Sequence, residues 1–245
     1  MKSILALTLA LGLGCGAEDP DTAAPETPSE PEETRTASPD PDPEPAAERP
    51  RSREHGMPEA PTLGTLPEGI GVAVGAPAPD VTVRDFDGDE RSLASLWAEG
   101  AVLLVFYRGG WCPYCNFQVH ALTEAYPEFQ ERGITPAVIS VDVSEEGTRT
   151  RASWEIPFPV LSDSGLDAHR AYHVVNEVDD ATVERLRGMG MDLEAHSGGD
   201  HHTVAVPAIF LIDREGVVRW AHADHDYRTR PSVEQILGAI PALAP

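Results

Sequence analysis

Trp111-Cys112-Pro113-Tyr114-Cys115 sets two cysteines with two residues between them, after an apolar run from Ala101 to Tyr107 and before a stretch of helical periodicity. At the start of a helix such a pair can close a small disulfide. Unpaired N–H groups and aligned peptide dipoles put partial positive charge there, which favours a thiolate. Thiolates attack disulfides and peroxides and thiols do so poorly, so these five residues point to two-electron sulfur chemistry. Arg108 lies just upstream, where a guanidinium favours ionisation by its charge; the competing reading is a surface or salt-bridged arginine. A structural zinc half-site would need a second ligand pair, and the chain has no second Cys-x-x-Cys. His201-His202 and His222-Ala223-Asp224-His225-Asp226 carry ligand-type side chains, but their spacings match no closed site. They read as polar loop residues near a strand end, and no metal is expected. His120 falls on the helix after the cysteines and need not face them.

The elements that must hold the cysteines alternate between strands and helices. Val81–Val83 reads as a short strand and Ala101–Tyr107 as a strand buried on both faces. Pro113 suits the first turn of the next helix, where its missing N–H costs nothing. Phe117, Ala121, Leu122, Ala125 and Phe129 give that helix an apolar face. Pro127 is expected to kink or divide it, and Gly133 to end it. Ile134–Val141 reads as a strand, Ser144–Trp154 as a helix, and Leu166–Tyr172 as another. Asn176–Asp200 reads as an insertion with a short helix near Thr182–Arg187, either a mobile covering loop or a solvated loop. Thr203–Ile212 reads as one strand containing Pro207, and Asp213–Gly216 turns it into Val217–Ala221. Proline cannot donate to a ladder, so a cis peptide at Val206–Pro207 is the expected solution. Ser232-x-x-Gln235 reads as a capping box for the last helix.

This order, with Cys-x-x-Cys opening the first long helix, resembles the thioredoxin fold: α/β, a central mixed sheet flanked by helices. VGAPAPDVTVRDFDG, VFYRGGWCPYC and VPAIFLIDREGVVRWAHADHDYRTR together resemble the peroxiredoxin-like branch of the alkyl hydroperoxide reductase/thiol-specific antioxidant (AhpC/TSA) family, over about Val74 to Ile240. The resemblance implies two alignments. Read as thioredoxin, Cys112 is the nucleophile, its sulfur the more exposed, and Cys115 resolves the mixed disulfide. Trp111 precedes the pair, and Pro207 sits against it. Read as peroxiredoxin, Cys115 takes the peroxidatic position, Cys112 falls where that family has threonine, and Arg108 where it has proline. The family's peroxide-activating arginine has no counterpart in Val204–Ala208, a place Arg108 could fill.

The expected function is thiol–disulfide exchange through Cys112 and Cys115. A thiol-dependent peroxidase is the close alternative, and a tethered binding module with an inert disulfide is the second. Either chemistry needs a disulfide or peroxide substrate and an exogenous thiol reductant. No cofactor is expected beyond the Cys112–Cys115 redox disulfide: there is no nucleotide-binding glycine fingerprint, and Asn116 rather than histidine follows Cys115.

The rest of the chain supplies location. Met1-Lys2-Ser3, the apolar stretch Ile4–Leu13 and Gly14-Cys15-Gly16 read as a signal segment (residues 1–15) ending at a lipobox-like Cys15. Acylated there, the chain would gain a stable hold on a bilayer. Residues 16–65 read as a disordered tether: from Glu18 to Thr62 it holds 11 of the 23 prolines and 13 acidic residues against 4 arginines. Residues 66–245 read as the folded domain. Net charge is −23, which argues against nucleic acid as a partner. The expectation is an exported bacterial membrane lipoprotein facing the periplasm or cell surface.

Overall fold

The structure, a computed structural model, describes residues 58–240. Its elements run β1 (Thr82–Asp85), β2 (Glu90–Ser92), α1 (Ala94–Glu99), β3 (Ala101–Phe106), α2 (Pro113–Glu124), α3 (Tyr126–Glu131), β4 (Ile134–Ser140), α4 (Ser144–Trp154) and β5 (Val160–Ser162). They continue with α5 (Asp167–Ala171), β6 (Val175–Glu177), α6 (Asp180–Gly188), α7 (Leu193–Ser197), β7 (Thr203–Ala205), β8 (Ala208–Ile212), β9 (Val218–Ala223) and α8 (Val233–Ala239).

β3 is apolar and buried at all six positions, as a strand covered on both faces must be. It lies inside a seven-stranded sheet of order β2-β1-β5-β4-β3-β8-β9. β3 pairs parallel with β4 and antiparallel with β8, so the sheet is mixed. Successive side chains of β3 point to opposite faces. Val102, Leu104 and Phe106 join one core with Leu96 and Trp97 of α1, Ala168 of α5 and Tyr172. Leu103, Val105 and Tyr107 join the other, with Cys112, Cys115, Val119 and Leu122, Phe129 of α3, and Ile236 and Leu237 of α8. Both cysteines thus belong to the face covered by α2, α3 and α8. This is the expected mixed sheet flanked by helices.

Several local expectations are refined. Pro127 divides rather than kinks: α2 ends at Glu124 and α3 begins at Tyr126, with Pro127 in its first turn. The Ser232–Gln235 capping box forms in full. Asn176–Asp200 holds the expected short helix, as α6, and is otherwise more ordered than a loop. It contributes to a hairpin of β6 and β7 and carries α6 and α7. Val183, Leu193 and Val204 make a small core there, against which Trp111 packs.

Three expectations are corrected. The single strand from Thr203 to Ile212 is two strands in different sheets, β7 paired with β6 and β8 between β3 and β9. No cis peptide bond occurs among the described residues, so Pro207 is trans. The physical reason is the sheet switch: Val206 N–H donates to Val174 and Pro207 C=O accepts from Asp224, and no ladder asks Pro207 for a donor. The tether was also drawn too long. Ala60 is buried, Ala223 N–H donates to Thr65 C=O at 2.9 Å, and Gly64 lies against the Trp220 ring, so residues 58–65 already belong to the folded unit. Residues 1–57, with Cys15 and the acidic leader, lie outside the described residues.

Candidate active site

Cys112 is the N-cap residue of α2, with extended backbone, and Pro113 opens the helix. Cys115 lies in the first turn. The approach to this cap is made by two glycines. Gly109 has φ 145°, and a side chain on it would come within 2.7 Å of Asp142 Oδ1. A Cβ on Gly110 would collide with Thr150 Oγ1. Gly110 N–H donates to Asp142 Oδ2 at 2.7 Å, and Asn116 Nδ2 donates to Gly110 C=O at 2.8 Å. The turn is therefore clamped from α2 and from the end of β4.

Both sulfurs are buried: Cys112 is 1% exposed and Cys115 0%. Cys112 is the less enclosed of the two, as expected, but only barely; Arg108 lies beside it, with its guanidinium against Trp111 and Tyr227. The Arg108 guanidinium carbon lies 5.0 Å from the Trp111 ring centre and 4.1 Å from that of Tyr227. Tyr227 meets Tyr114 edge-on at 5.6 Å. Arg108 Nη1 approaches Cys112 Sγ at 4.0 Å. Arg108 therefore serves Cys112 through its side chain.

The counter-ion of Cys115 is a residue that sequence reasoning missed. Arg230, 4% exposed, donates from Nη2 to Cys115 Sγ at 3.6 Å. Burial pushes the Cys115 thiol up. The Cys112 hydrogen bond, the Arg230 charge, a main-chain hydrogen bond from Arg108 and the hydrogen bond from Arg230 outweigh it, bringing the pKa down to about 6. Cys112 moves the other way: its hydrogen bond to Cys115, burial and the charge of Cys115 raise it, with Arg108 opposing. Both shifts run in the same sense, favouring the proton on Cys112 and the thiolate on Cys115. The only signal for Arg230 in the sequence is a run, His225-Asp226-Tyr227-Arg228-Thr229-Arg230, that ends at Pro231 and a helix cap.

A buried acid completes the surroundings. Asp142, 1% exposed, has its carboxyl pushed up to about 7 by burial, against hydrogen bonds from Gly110 N–H and Ser140. Pro207 shares a small cavity with Arg230, Gln118 and His222. Its volume of about 10 Å³ is room for one water. His222 is buried with neither ring nitrogen partnered, and it stacks on Trp220. The other histidines are spread out. His202 pairs with Glu194 at 2.8 Å, the Nδ1 of His201 accepts from Thr203 N–H, and His120 packs on Trp154. Among the described residues no three His, Cys, Asp or Glu side chains converge on a point that could hold a metal. Nor is any helix there long and apolar enough to cross a membrane.

The arrangement can deliver a buried thiolate to a small electrophile and a neutral thiol to the product. Comparison with known proteins agrees with that chemistry. The sequence model of the AhpC/TSA family matches residues 74–221. A peroxiredoxin of Thermoplasma volcanium is 28% identical over 182 residues, 70% of this chain and 75% of that protein. The thiol–disulfide oxidoreductase ResA of Geobacillus thermodenitrificans is 32% identical over 110 residues, 44% of this chain and 61% of that one. Reduced Prx3 of Vibrio vulnificus, solved with hydrogen peroxide, shares the fold: TM-score 0.57 at 16% identity, covering 69% of this chain and 99% of that one. The chain belongs to the AhpC/TSA family, an oxidoreductase domain of thioredoxin-like fold with peroxiredoxins and thiol–disulfide oxidoreductases among its relatives.

Proposed function

We propose that the protein is a thiol-dependent peroxidase in which Cys115 is the peroxidatic cysteine and Cys112 resolves it. The observation that carries this reading is the buried Arg230 guanidinium 3.6 Å from Cys115 Sγ, which favours a thiolate there. The thiolate attacks one oxygen of a hydroperoxide. The O–O bond breaks, and the departing oxygen takes a proton and leaves as water or alcohol. Arg230 donates hydrogen bonds where negative charge develops. Cys115 sulfenic acid then condenses with the Cys112 thiol, releasing water and closing the disulfide. An external thiol reductant restores the pair by exchange. Burial of both sulfurs favours a small oxidant over a protein disulfide as the first reactant. In the peroxiredoxin alignment the family's threonine is here Cys112, a weak hydrogen-bond donor toward peroxide.

Thiol–disulfide exchange is the second reading, favoured by Cys112 at the helix N-cap and by the ResA likeness. One experiment separates the two. Cys112→Ser and Cys115→Ser proteins are treated with hydrogen peroxide and the sulfenic acid is trapped. The Cys112→Ser protein is expected to give a stoichiometric adduct without sustained turnover, and the Cys115→Ser protein none. The reverse pattern, or rapid formation of a mixed disulfide between Cys112 of the Cys115→Ser protein and a protein disulfide, overturns the peroxidase reading. The inert-disulfide module falls away once the chain is placed among oxidoreductases.

The location remains that of the sequence: residues 1–15 as an export signal, lipid on Cys15, and the leader as a tether on the outer side of a bacterial membrane. Incorporation of labelled fatty acid, lost in a Cys15→Ala chain, tests this. A chain that is unlabelled and free in the soluble fraction sinks it.

A further inference from the structure

Arg230 has little to hold its side chain. Nη2 meets Cys115 Sγ, Nη1 reaches only the neighbouring Thr229 carbonyl at 3.4 Å, and Nε has no partner. Its main chain is held by one partner segment. Arg230 N–H donates to Pro58 C=O at 3.3 Å and Arg230 C=O accepts from Ala60 N–H at 3.2 Å, which makes Glu59 and Arg230 a parallel bridge. Ala60 is 3% exposed, and its own carbonyl accepts from Gln235 Nε2 at 3.2 Å. Gln235 is the residue that closes the capping box of α8. The rest of the β9–α8 loop is tied largely within itself, by Asp226 N–H to Asp224, Arg228 to Asp226 and Thr229 N–H to Asp226 C=O; its other ties, Asp224 N–H to Pro207 C=O and Tyr227 against Arg108 and Tyr114, lie earlier in the loop than Arg230. The strap and Arg230 both lie outside residues 74–221, the part that matches the family.

We infer that Pro58–Ala60 is a positioning strap: by pairing with the main chain of Arg230 it holds the guanidinium on Cys115, and so couples thiol reactivity to the chain just after the acidic leader. This rests on the proposed role of the Cys115–Arg230 pair. Without the strap, two main-chain groups of a buried residue lose their partners. The loop end is then free to turn toward water and take the arginine with it. Direct tension or cleavage at the end of the leader acts on the same rung.

The test uses the full chain with Cys15→Ala and Cys112→Ser, so that Cys115 is the one remaining thiol, and follows thiolate absorbance against pH. Arg230→Met is expected to raise the Cys115 pKa by about one pH unit or more, the scale on which an adjacent opposite charge acts. Ala60→Pro, which removes the N–H, and deletion of Pro58–Ala60 are expected to raise it comparably. Ala60→Ser, which keeps the N–H, is expected to leave it in place. For a one-unit rise from about 6, the thiolate fraction at pH 7 falls from about nine-tenths to about one half, so initial reaction with hydrogen peroxide at that pH is expected to fall about twofold in step. Circular dichroism establishes that each variant is folded, and the deletion serves if the proline disrupts packing. A wild-type pKa in a folded strap variant, beside a raised one in Arg230→Met, overturns the strap and leaves the peroxidase reading intact. An unchanged pKa in Arg230→Met removes the counter-ion and the strap together.

Discussion

The turn before α2 and the loop between β9 and α8 meet at the same two sulfurs but are built in opposite ways. The turn is specified by its own residues and by close packing: Gly109 and Gly110 admit no side chain, Pro113 starts the helix, and Asp142 holds the Gly110 amide. The loop carries Tyr227 and Arg230, and its end is held by chain more than a hundred residues away, at Pro58 and Ala60. The difference separates two jobs. The turn sets where the sulfurs are, and the loop brings a guanidinium to one of them. Damage to the turn is therefore expected to appear in unfolding, and damage to the loop in titration and reactivity.

The largest effect expected from the turn is at Gly110. Gly110→Ala drives a methyl into Thr150 and is expected to lower stability by about 1–3 kcal/mol, as overpacking does, read as a shift of the urea midpoint. A wild-type midpoint breaks the comparison, since the turn would then tolerate what its packing forbids.

Asp142 sharpens the comparison by pH. Its folded pKa of about 7 lies above the 3.8 of an ordinary carboxyl, so the folded state holds the proton more tightly than the unfolded chain. This group therefore costs no stability below about pH 4. It costs increasingly more up to about pH 7, and a constant amount above. Asp142→Asn keeps an acceptor for Gly110 N–H and removes the charge. Its stability relative to the wild type is expected to rise between pH 4 and pH 7.5, as read from urea midpoints at those two values. A constant difference across the range would put the ionisation elsewhere.

The smallest effect is at Tyr227. Tyr227→Ala removes one aromatic face from Arg108, an interaction of about 0.5–1 kcal/mol. Stability is expected to change little, while alkylation of Cys112 by a bulky maleimide speeds up. Equal alkylation rates in the two proteins would show that the stack does not cover the sulfur.

Much of the fold was legible because it is local. β3 announces itself as an unbroken apolar run, α8 by Ser232 and Gln235, and α2 by its spacing and Pro113. The cysteine pair was legible for the same reason. Arg230 was not, because nothing within a dozen residues of it names Cys115 as its partner. The tether boundary failed likewise: Pro58-Glu59-Ala60 has the composition of the leader, and only a long-range rung makes it structure. Pro207 misled because a strand with a proline in it looks like one strand with a defect, when it is two strands with a boundary. The insertion misled because Val183, Leu193 and Val204 are too far apart in sequence to read as a core.

The burial of the two sulfurs has a kinetic consequence. A group with no surface cannot be reached by a large reagent until the protein opens, so the opening rate becomes a ceiling that no concentration of that reagent can lift. Peroxide-sized molecules need far less room. In the proposed peroxidase the enclosure would act as a sieve in time, admitting a small oxidant as fast as it is supplied and making a bulky reagent wait on opening.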